Sequence, residues 1–315
     1  MTVCEDFPDS LRPVSLDTFF ADYWGRRSLH VAGDPGRFST LLDSATLAEL
    51  QPRCGSIKAG FLDERGWYCD VAIQPEQVKR LWEAGMTICT GVLPTEGPRA
   101  RFINSCRSVM GLAGHVYFNA YRSPPGKGFA LHVDDHPVVV LHLEGEKRWW
   151  LSRDIGVPDP PRGFNFPPGL KRLTTPWGVY ERPDEGTFQE ITLRPGDLLY
   201  VPAGMWHRTQ AVTASLSLTM AMVATAPMDL VRPRLETALV QQPALRRRLA
   251  GLDRRTLNPD AIPEALAGDL EDAAAAIRAL ANRMDAATLY RLWLEAATSE
   301  PADDAMRQSK GGAGA

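Results

Sequence analysis

The hydrophobic period of the chain changes twice. Up to about residue 112, short helical stretches alternate with short extended ones. Ser15 can cap a helix running through Trp24 in SLDTFFADYW, and Ser44 can cap another in SATLAELQ. A third helix is marked by Pro75 in its first turn, by Val78, Leu81 and Trp82 at i, i+3 and i+4, and by Gly85 as its stop. From about 113 to 224 the period becomes two. A strand over 115–120 precedes the turn-rich RSPPGKG, then ALHVDD, then an apolar run over 138–143 that Gly145 turns back into 147–151 as a hairpin. The Pro-rich segment 154–187 is too long for an ordinary connection and predicts a functional lid or loop. A strand over 190–193, a turn over 194–197, LLYVP and the alternating SLSLTMAM complete a set suited to a barrel or jelly roll. From about 228 the helical period returns. Leu266, Leu270, Ile277, Leu280 and Met284 fall on one face, Asn258-Pro259 marks a break, and Asp285 caps a last helix carrying Leu289, Leu292 and Trp293.

Composition narrows the class without naming a chemistry. The 315 residues carry 35 basic and 38 acidic side chains, a formal net charge of −3, which weighs against bulk attraction to nucleic acid. The Arg246–Arg248 run with Arg254 and Arg255 is a local basic cluster that reads most simply as a solvated helix face. No apolar run reaches the roughly 18 residues of a membrane span, and MTVCEDFPDSLRP has no basic-then-apolar leader. Five scattered cysteines without a C-x-x-C pair point to reduced thiols, hence a cytoplasmic location, and away from disulfides or structural zinc.

Chemistry enters at His132-Val133-Asp134. Residues i and i+2 of a strand share a face, so an imidazole and a carboxylate would converge inside the barrel. His207, in the turn after LLYVPAGMW, is the best third ligand. Two histidines and one carboxylate on one face of an iron leave open positions, as in non-haem Fe(II) oxygenases. The other reading of HVDDH is a surface loop rich in Asp and His. Pro137 bends the strand after His136, which puts that histidine beside the ligands or facing substrate; His30, His115 and His142 read as structural. Lys147 and Trp149 share one strand face, opposite Arg148 and Trp150. If Lys147 points inward it needs an anion, which a dicarboxylate chelating the iron would supply; an exposed hairpin lysine is the alternative.

With these residues in place, FNAYRSPPGKGFALHVDDHPVVVLHLEGEKRWWL and RPGDLLYVPAGMWHRTQAVTASLSLTMAM resemble the JmjC-type, cupin-like 2-oxoglutarate oxygenases. Within them the chain is most similar to the bacterial ribosomal-oxygenase branch, whose opening FFADYWGRRSLHVAG also resembles. The likeness covers roughly residues 11–225. It implies an α+β fold with a mainly β core: a double-stranded β-helix barrel with N-terminal flanking helices and a C-terminal helical region. The expected division is an oxygenase domain over 1–225 (barrel about 113–224), a helical region over 228–305 and a disordered tail over 306–315. The larger members carry a dimerisation region and a winged helix; the roughly 85 residues here suit a homodimerising helical element better than a full winged helix.

By the same resemblance His132, Asp134 and His207 match the iron ligands and Lys147 the partner of the distal carboxylate of 2-oxoglutarate. Asn119 and Tyr121 match polar residues of the co-substrate pocket, and Ser217 and Thr219 face the same way on the last strand; barrel packing is the competing role for Tyr121, and packing or exposure for the last two. The implied reaction uses Fe(II), 2-oxoglutarate and O2 to hydroxylate a side chain of a protein or peptide, such as a ribosomal protein or a ribosomally made peptide. The alternatives are the same chemistry on a tRNA base or small metabolite, N-demethylation, and a non-catalytic cupin-like binding module. Trp177 and Tyr180 of the 154–187 segment are candidates for one wall of a peptide groove.

Overall fold

The computed structural model describes residues 3–111, 114–249 and 260–298. The chain divides into two compact units, one ending at Val223 and one beginning at Ala224. Arg254, Arg255, the Asn258-Pro259 break and the 306–315 tail lie outside the described residues.

The first unit is built on two antiparallel sheets. The larger one runs in the order Leu29–Val31, Leu198–Val201, Val138–Glu144, Ser215–Ala224, Gly114–Ser123, Thr87–Gly91, Ser56–Leu62, Tyr68–Ala72. The smaller runs Gln189–Leu193, Lys147–Ile155, Met205–Ala211, His132–Val133, Phe164–Asn165. This is a jelly-roll core of antiparallel sheets with flanking helices. Alternation along the strands sorts side chains into two compartments. Phe118, Ala120, Leu216, Leu218, Met220 and Met222 join Phe7, Phe19 and Phe102 of the N-terminal helices in one cluster. Val138, Val140, Trp149, Leu151, Leu193 and Leu199 form another with contributions from both sheets.

The turn at Gly145 corrects the expected hairpin. Val138–Glu144 pairs within the larger sheet, whereas Lys147–Ile155 pairs within the smaller, so the turn carries the chain from one sheet to the other. Gly145 has φ 71°, and a Cβ there would lie 2.0 Å from the Ala214 carbonyl oxygen, so both backbone and space demand glycine. The connection between Gln189–Leu193 and Leu198–Val201 crosses in the same way. A period of two reveals a strand but not which sheet holds its partner.

Three other expectations change. Ser15 Oγ does accept from the Thr18 N–H at 3.1 Å, but the turn Leu16–Thr18 passes into a π-helical Phe19–Tyr23. Asp43, not Ser44, caps Ser44–Leu50 through the Thr46 N–H at 2.7 Å; the Ser44 N–H and hydroxyl instead donate to the Glu144 carboxylate. The 154–187 segment is not an irregular loop. Phe164–Asn165 extends the smaller sheet beside His132–Val133, Arg172–Thr175 pairs with Gly178–Glu181, and Val157 and Phe166 join Leu131, Val133 and Trp206 in a small core. Its prolines punctuate the strands and hide their period.

The second unit holds helices Pro227–Gln241, Pro243–Arg246, Glu264–Ala281 and Ala286–Thr298. Leu266, Leu280 and Leu292 are buried, while Ile277 is exposed and Met284 lies past the helix end, so the predicted stripe is only partly a core face. Asp285 caps the last helix through the Thr288 N–H at 2.8 Å. Arg247 pairs with Asp269 and Asp272, which neutralises part of the basic cluster. Among the described residues no helix is long and apolar enough to cross a membrane.

Candidate metal and co-substrate site

His132, Asp134 and His207 come together although 75 residues of chain separate the first from the last. Their strands are neighbours in the smaller sheet, where His132 and His207 are directly paired. One potential ligand atom from each lies within 4.8 Å of the others. The two imidazole centroids are 4.0 Å apart, and His207 Nε2 lies 3.6 Å from Asp134 Oδ2. Each ring is oriented by its own backbone: His132 Nδ1 bonds the Ala130 carbonyl at 2.8 Å and His207 Nδ1 the Met205 carbonyl at 2.9 Å. A carbonyl can only accept, so both Nδ1 atoms carry the hydrogen and both Nε2 atoms keep a free lone pair. Burial, reinforced by His132, pushes the His207 pKa down to about 4, which keeps it in the neutral, ligating form.

Gly204, in the VPAGMW turn, ties the two halves of this group together. Its N–H donates to the Asp134 carbonyl at 2.9 Å and its own carbonyl accepts from Gly156 and Val157. With φ 72°, and with the Val157 carbonyl 1.8 Å from where a Cβ would sit, no other residue fits.

The histidines and Asp134 line a cavity of about 140 Å³ together with Tyr117, Asn119, Tyr121, Lys147, Ser217 and Thr219. Every residue expected at the site thus borders one space. Lys147 is 2% exposed; its Nζ donates to Ser123 Oγ at 3.3 Å and lies 5.4 Å from the Phe129 ring centroid. Among the described residues no carboxylate pairs with it, and burial lowers its pKa to about 8. Arg148, on the opposite face, is exposed. Asn119 Oδ1 accepts from the Val92 N–H at 2.8 Å, which directs its amide hydrogens elsewhere; Val92 has a left-handed φ of 52°, a strained backbone for a β-branched residue. Burial raises the Tyr121 hydroxyl well above the usual 10, so it stays a neutral donor, beside the Cys89 thiol.

Ser217 borders the cavity but also bonds His142 Nδ1 at 3.0 Å, while His142 Nε2 bonds the Gly145 carbonyl at 3.0 Å. His142 is therefore the satisfied core histidine expected. His136 also borders the cavity, with Nδ1 2.7 Å from Asp135 Oδ1. Against the opposing effect of burial, that bond and the charges of Asp134 and Asp135 raise its pKa. Sequence reasoning missed Tyr117, Phe129, Thr209 and Ser123. For three of them the signal was parity: Tyr117 is two before Asn119, Ser123 two after Tyr121, and Thr209 two after His207. Trp177 and Tyr180 sit in the paired hairpin, but only Trp177 is exposed; Tyr180 packs on Phe164 with centroids 5.0 Å apart.

A jelly-roll barrel that holds two histidines and a carboxylate at its mouth, with a buried lysine behind them, defines the class of cupin-like metal sites. Residues 95–230 match the JmjC domain, and over that segment the chain is similar to the JmjC-type oxygenases. It is 23% identical over 245 residues to the uncharacterized protein YxbC of Bacillus subtilis, covering 73% of this chain and 74% of that one. It is 28% identical over 221 residues to ribosomal oxygenase 1 of Gallus gallus, covering 65% of this chain but 34% of that protein. The bifunctional lysine-specific demethylase and histidyl-hydroxylase NO66 of Aedes aegypti is 26% identical over 237 residues, again with 34% of its length spanned. The Escherichia coli ribosomal oxygenase YcfD, solved with cobalt and 2-oxoglutarate, superposes with a TM-score of 0.58 over 92% of this chain and 73% of that one, at 16% identity. That last likeness is one of fold.

Proposed function

We propose that the protein is an Fe(II)- and 2-oxoglutarate-dependent dioxygenase that hydroxylates a side chain of a protein or peptide. The observation that carries this reading is Lys147: a buried cation with no carboxylate partner among the described residues, in the same cavity as a two-histidine, one-carboxylate group. The donor set suits Fe(II), with two neutral imidazole nitrogens and one carboxylate oxygen on one side and the cavity on the other. Bound iron and 2-oxoglutarate would supply the oxidising chemistry that, with dioxygen, turns a substrate C–H into C–OH while 2-oxoglutarate becomes succinate and carbon dioxide.

The chain's own residues then have separable tasks. His132, Asp134 and His207 hold the metal, and their backbone bonds fix the rings before it arrives. Lys147 pairs with the distal carboxylate of the co-substrate, with Ser123 behind it. Asn119 and Tyr121 offer neutral donors to the same molecule, and Ser217 and Thr219 close the wall. The apolar Phe129, Val138 and Trp149 keep bulk water from the site. A polypeptide substrate fits the relatives named above as ribosomal oxygenases, and the five free cysteines fit a reducing, cytoplasmic setting. In the second unit, the exposed Met228, Val240, Ile277 and Tyr290 support homodimerisation through its helices, read as a sedimentation mass of twice 34.7 kDa.

The test is to incubate purified protein, Fe(II) and 2-oxoglutarate with candidate ribosomal proteins and genome-neighbouring peptides, then seek a one-oxygen gain by mass spectrometry. The expected result is oxygen incorporation and succinate release by the wild type and neither by His132→Ala. Equal co-substrate turnover in the two would refute the reading.

A further inference from the structure

The first unit leaves one sheet edge open beside the cavity. Tyr68–Ala72 is the last strand of the larger sheet and pairs with Ser56–Leu62 alone. Its ladder is fixed at both ends: the Asp63 N–H donates to the Trp67 carbonyl and the Ile73 N–H to the Ile57 carbonyl, both at 2.9 Å. Bonded pairs recur at every second residue of an antiparallel ladder, so Cys69 and Val71 turn their backbone groups toward Phe61 and Ala59. The N–H and C=O of Tyr68, Asp70 and Ala72 therefore point outward, and among the described residues nothing pairs with them. The usual defences of an edge are missing. The strand YCDVA has no proline and no lysine, its register is unbroken by a bulge, and its one charge, Asp70, is taken up by Lys58 at 3.3 Å.

This edge borders the metal and co-substrate cavity. Register carries the cavity face outward from strand to strand: Tyr121 is opposite Cys89, Cys89 opposite Lys58, and Lys58 opposite Ala72. Tyr68, Asp70 and Ala72 thus share the face on which Tyr121 lines the cavity. The Tyr68 ring lies 5.0 Å from Phe129, and Phe129 lies 6.1 Å from His132, centroid to centroid. A single aromatic side chain therefore separates the edge from the metal-binding group. At the hairpin tip, a Cβ on Gly66 would come 3.3 Å from Pro168, so the tip meets the inserted 154–187 segment. Leu62 and Trp67, which flank Tyr68, are both exposed, and exposed apolar surface beside an open edge marks a place of contact.

We propose that the outer edge of Tyr68–Ala72 is the docking site for the polypeptide substrate, which pairs with it as an added strand while its target residue enters the cavity. This rests on the oxygenase reading above and deepens it by saying where the substrate backbone is held. The chemistry suits a polypeptide: an extended main chain offers donors and acceptors in the same alternation as Tyr68, Asp70 and Ala72. These three residues span about 13 Å, more than a nucleobase or a small metabolite covers. Main-chain pairing supplies affinity with little demand on sequence, and the added side chains that fall on the cavity face supply selection. Beside Asp70 that face favours a lysine or arginine over an acidic residue, because like charges on neighbouring strands repel.

The test uses the full chain loaded with Mn(II) and 2-oxoglutarate, and as probe the panel of ribosomal proteins and genome-neighbouring peptides named above. Residue-resolved hydrogen exchange should show the outward Asp70 and Ala72 amides slowed about tenfold by a panel member, while Cys69 and Val71, already bonded to the neighbouring strand, change less. Ala72→Pro removes one outward N–H without touching the ladder to Ser56–Leu62. It should melt as the wild type does, bind Mn(II) and 2-oxoglutarate as tightly, and raise the KM for that panel member about tenfold with kcat unchanged. Ala72→Ser, which keeps the N–H, should match the wild type throughout. If Ala72→Pro melts lower, the exchange result alone decides. Protection of Tyr117 and His136 at the cavity with Asp70 and Ala72 exchanging freely would overturn the proposal and leave the oxygenase reading standing. Protection by no panel member would overturn it as well. So would a lower sedimentation mass for Ala72→Pro, since the edge would then belong to a second copy of this chain. A wild type that binds Mn(II) but not 2-oxoglutarate would overturn the oxygenase reading itself and this inference with it.

Discussion

Lys147 shows how one side chain can be costly and necessary together. A buried ammonium with no carboxylate partner among the described residues destabilises the ligand-free barrel, and under the proposed function the same charge would bind the dianionic co-substrate. Lys147→Met should therefore raise the melting temperature of the ligand-free protein, by the equivalent of about 1–3 kcal/mol, while weakening 2-oxoglutarate binding by about a hundredfold or more. Its pKa is lowered in the fold from the usual 10.5 to about 8, so between those values the unfolded chain binds more protons than the folded one. Stability then rises with pH across that window, and the excess stability of Lys147→Met should shrink from pH 8 toward 10.5 in parallel thermal melts. Co-substrate affinity of the wild type should fall over the same range as the ammonium deprotonates. His142 acts in the same direction at lower pH. Burial lowers its pKa to about 4, so acid between pH 6.5 and 4 protonates the unfolded chain first. The fold should lose stability steadily through that interval, and His142→Asn should flatten the slope in denaturant titrations at each pH. At this scale the sequence was informative wherever chemistry is scarce: an H-x-D and a lysine on an inward face have few uses. It was silent on Ser123 and Thr209, because serine and threonine are ordinary strand residues.

Elements position these groups more than they shape them. The VPAGMW turn delivers His207 and, through Gly204, grips the Asp134 carbonyl, so Gly204→Ala strains the backbone and drives a methyl into the Val157 carbonyl. Its cost should exceed about 3 kcal/mol, combining positive φ with steric conflict, and metal affinity in an equilibrium titration should fall with it. The inserted segment matters for the same reason: Asn165 pairs with His132, and a Cβ on Gly163 would come 3.1 Å from the Val133 carbonyl oxygen. Gly163→Val should thus loosen the metal without touching it, by about tenfold in Mn(II) affinity, whereas the same change at the exposed Gly268 of the second unit, with open space around it, should not. Strand positions were legible from period two because both sheet faces are contrasted by burial. The partners were not legible, since Gly145 reads equally well as a hairpin turn or as a crossing between sheets. The 154–187 strands escaped notice because each is two to four residues long, too short for alternation to accumulate.

Across the whole molecule, charge and composition set bounds that the structure leaves intact, and the site occupies a small part of a long chain. The second unit was legible as helices from its caps, yet its apolar stripe overstated the core, since a helix period cannot tell a buried face from one that waits for another surface. The crossings between sheets have a further consequence in time. His132 and Asp134 acquire their third companion only when residue 207, 75 positions beyond the first of them, is in place beside them. Pairings this distant in sequence form late in folding. A chain still being synthesised, or one truncated before that point, has no complete iron-binding group. The group proposed to hold iron is thus completed only as the barrel closes around it.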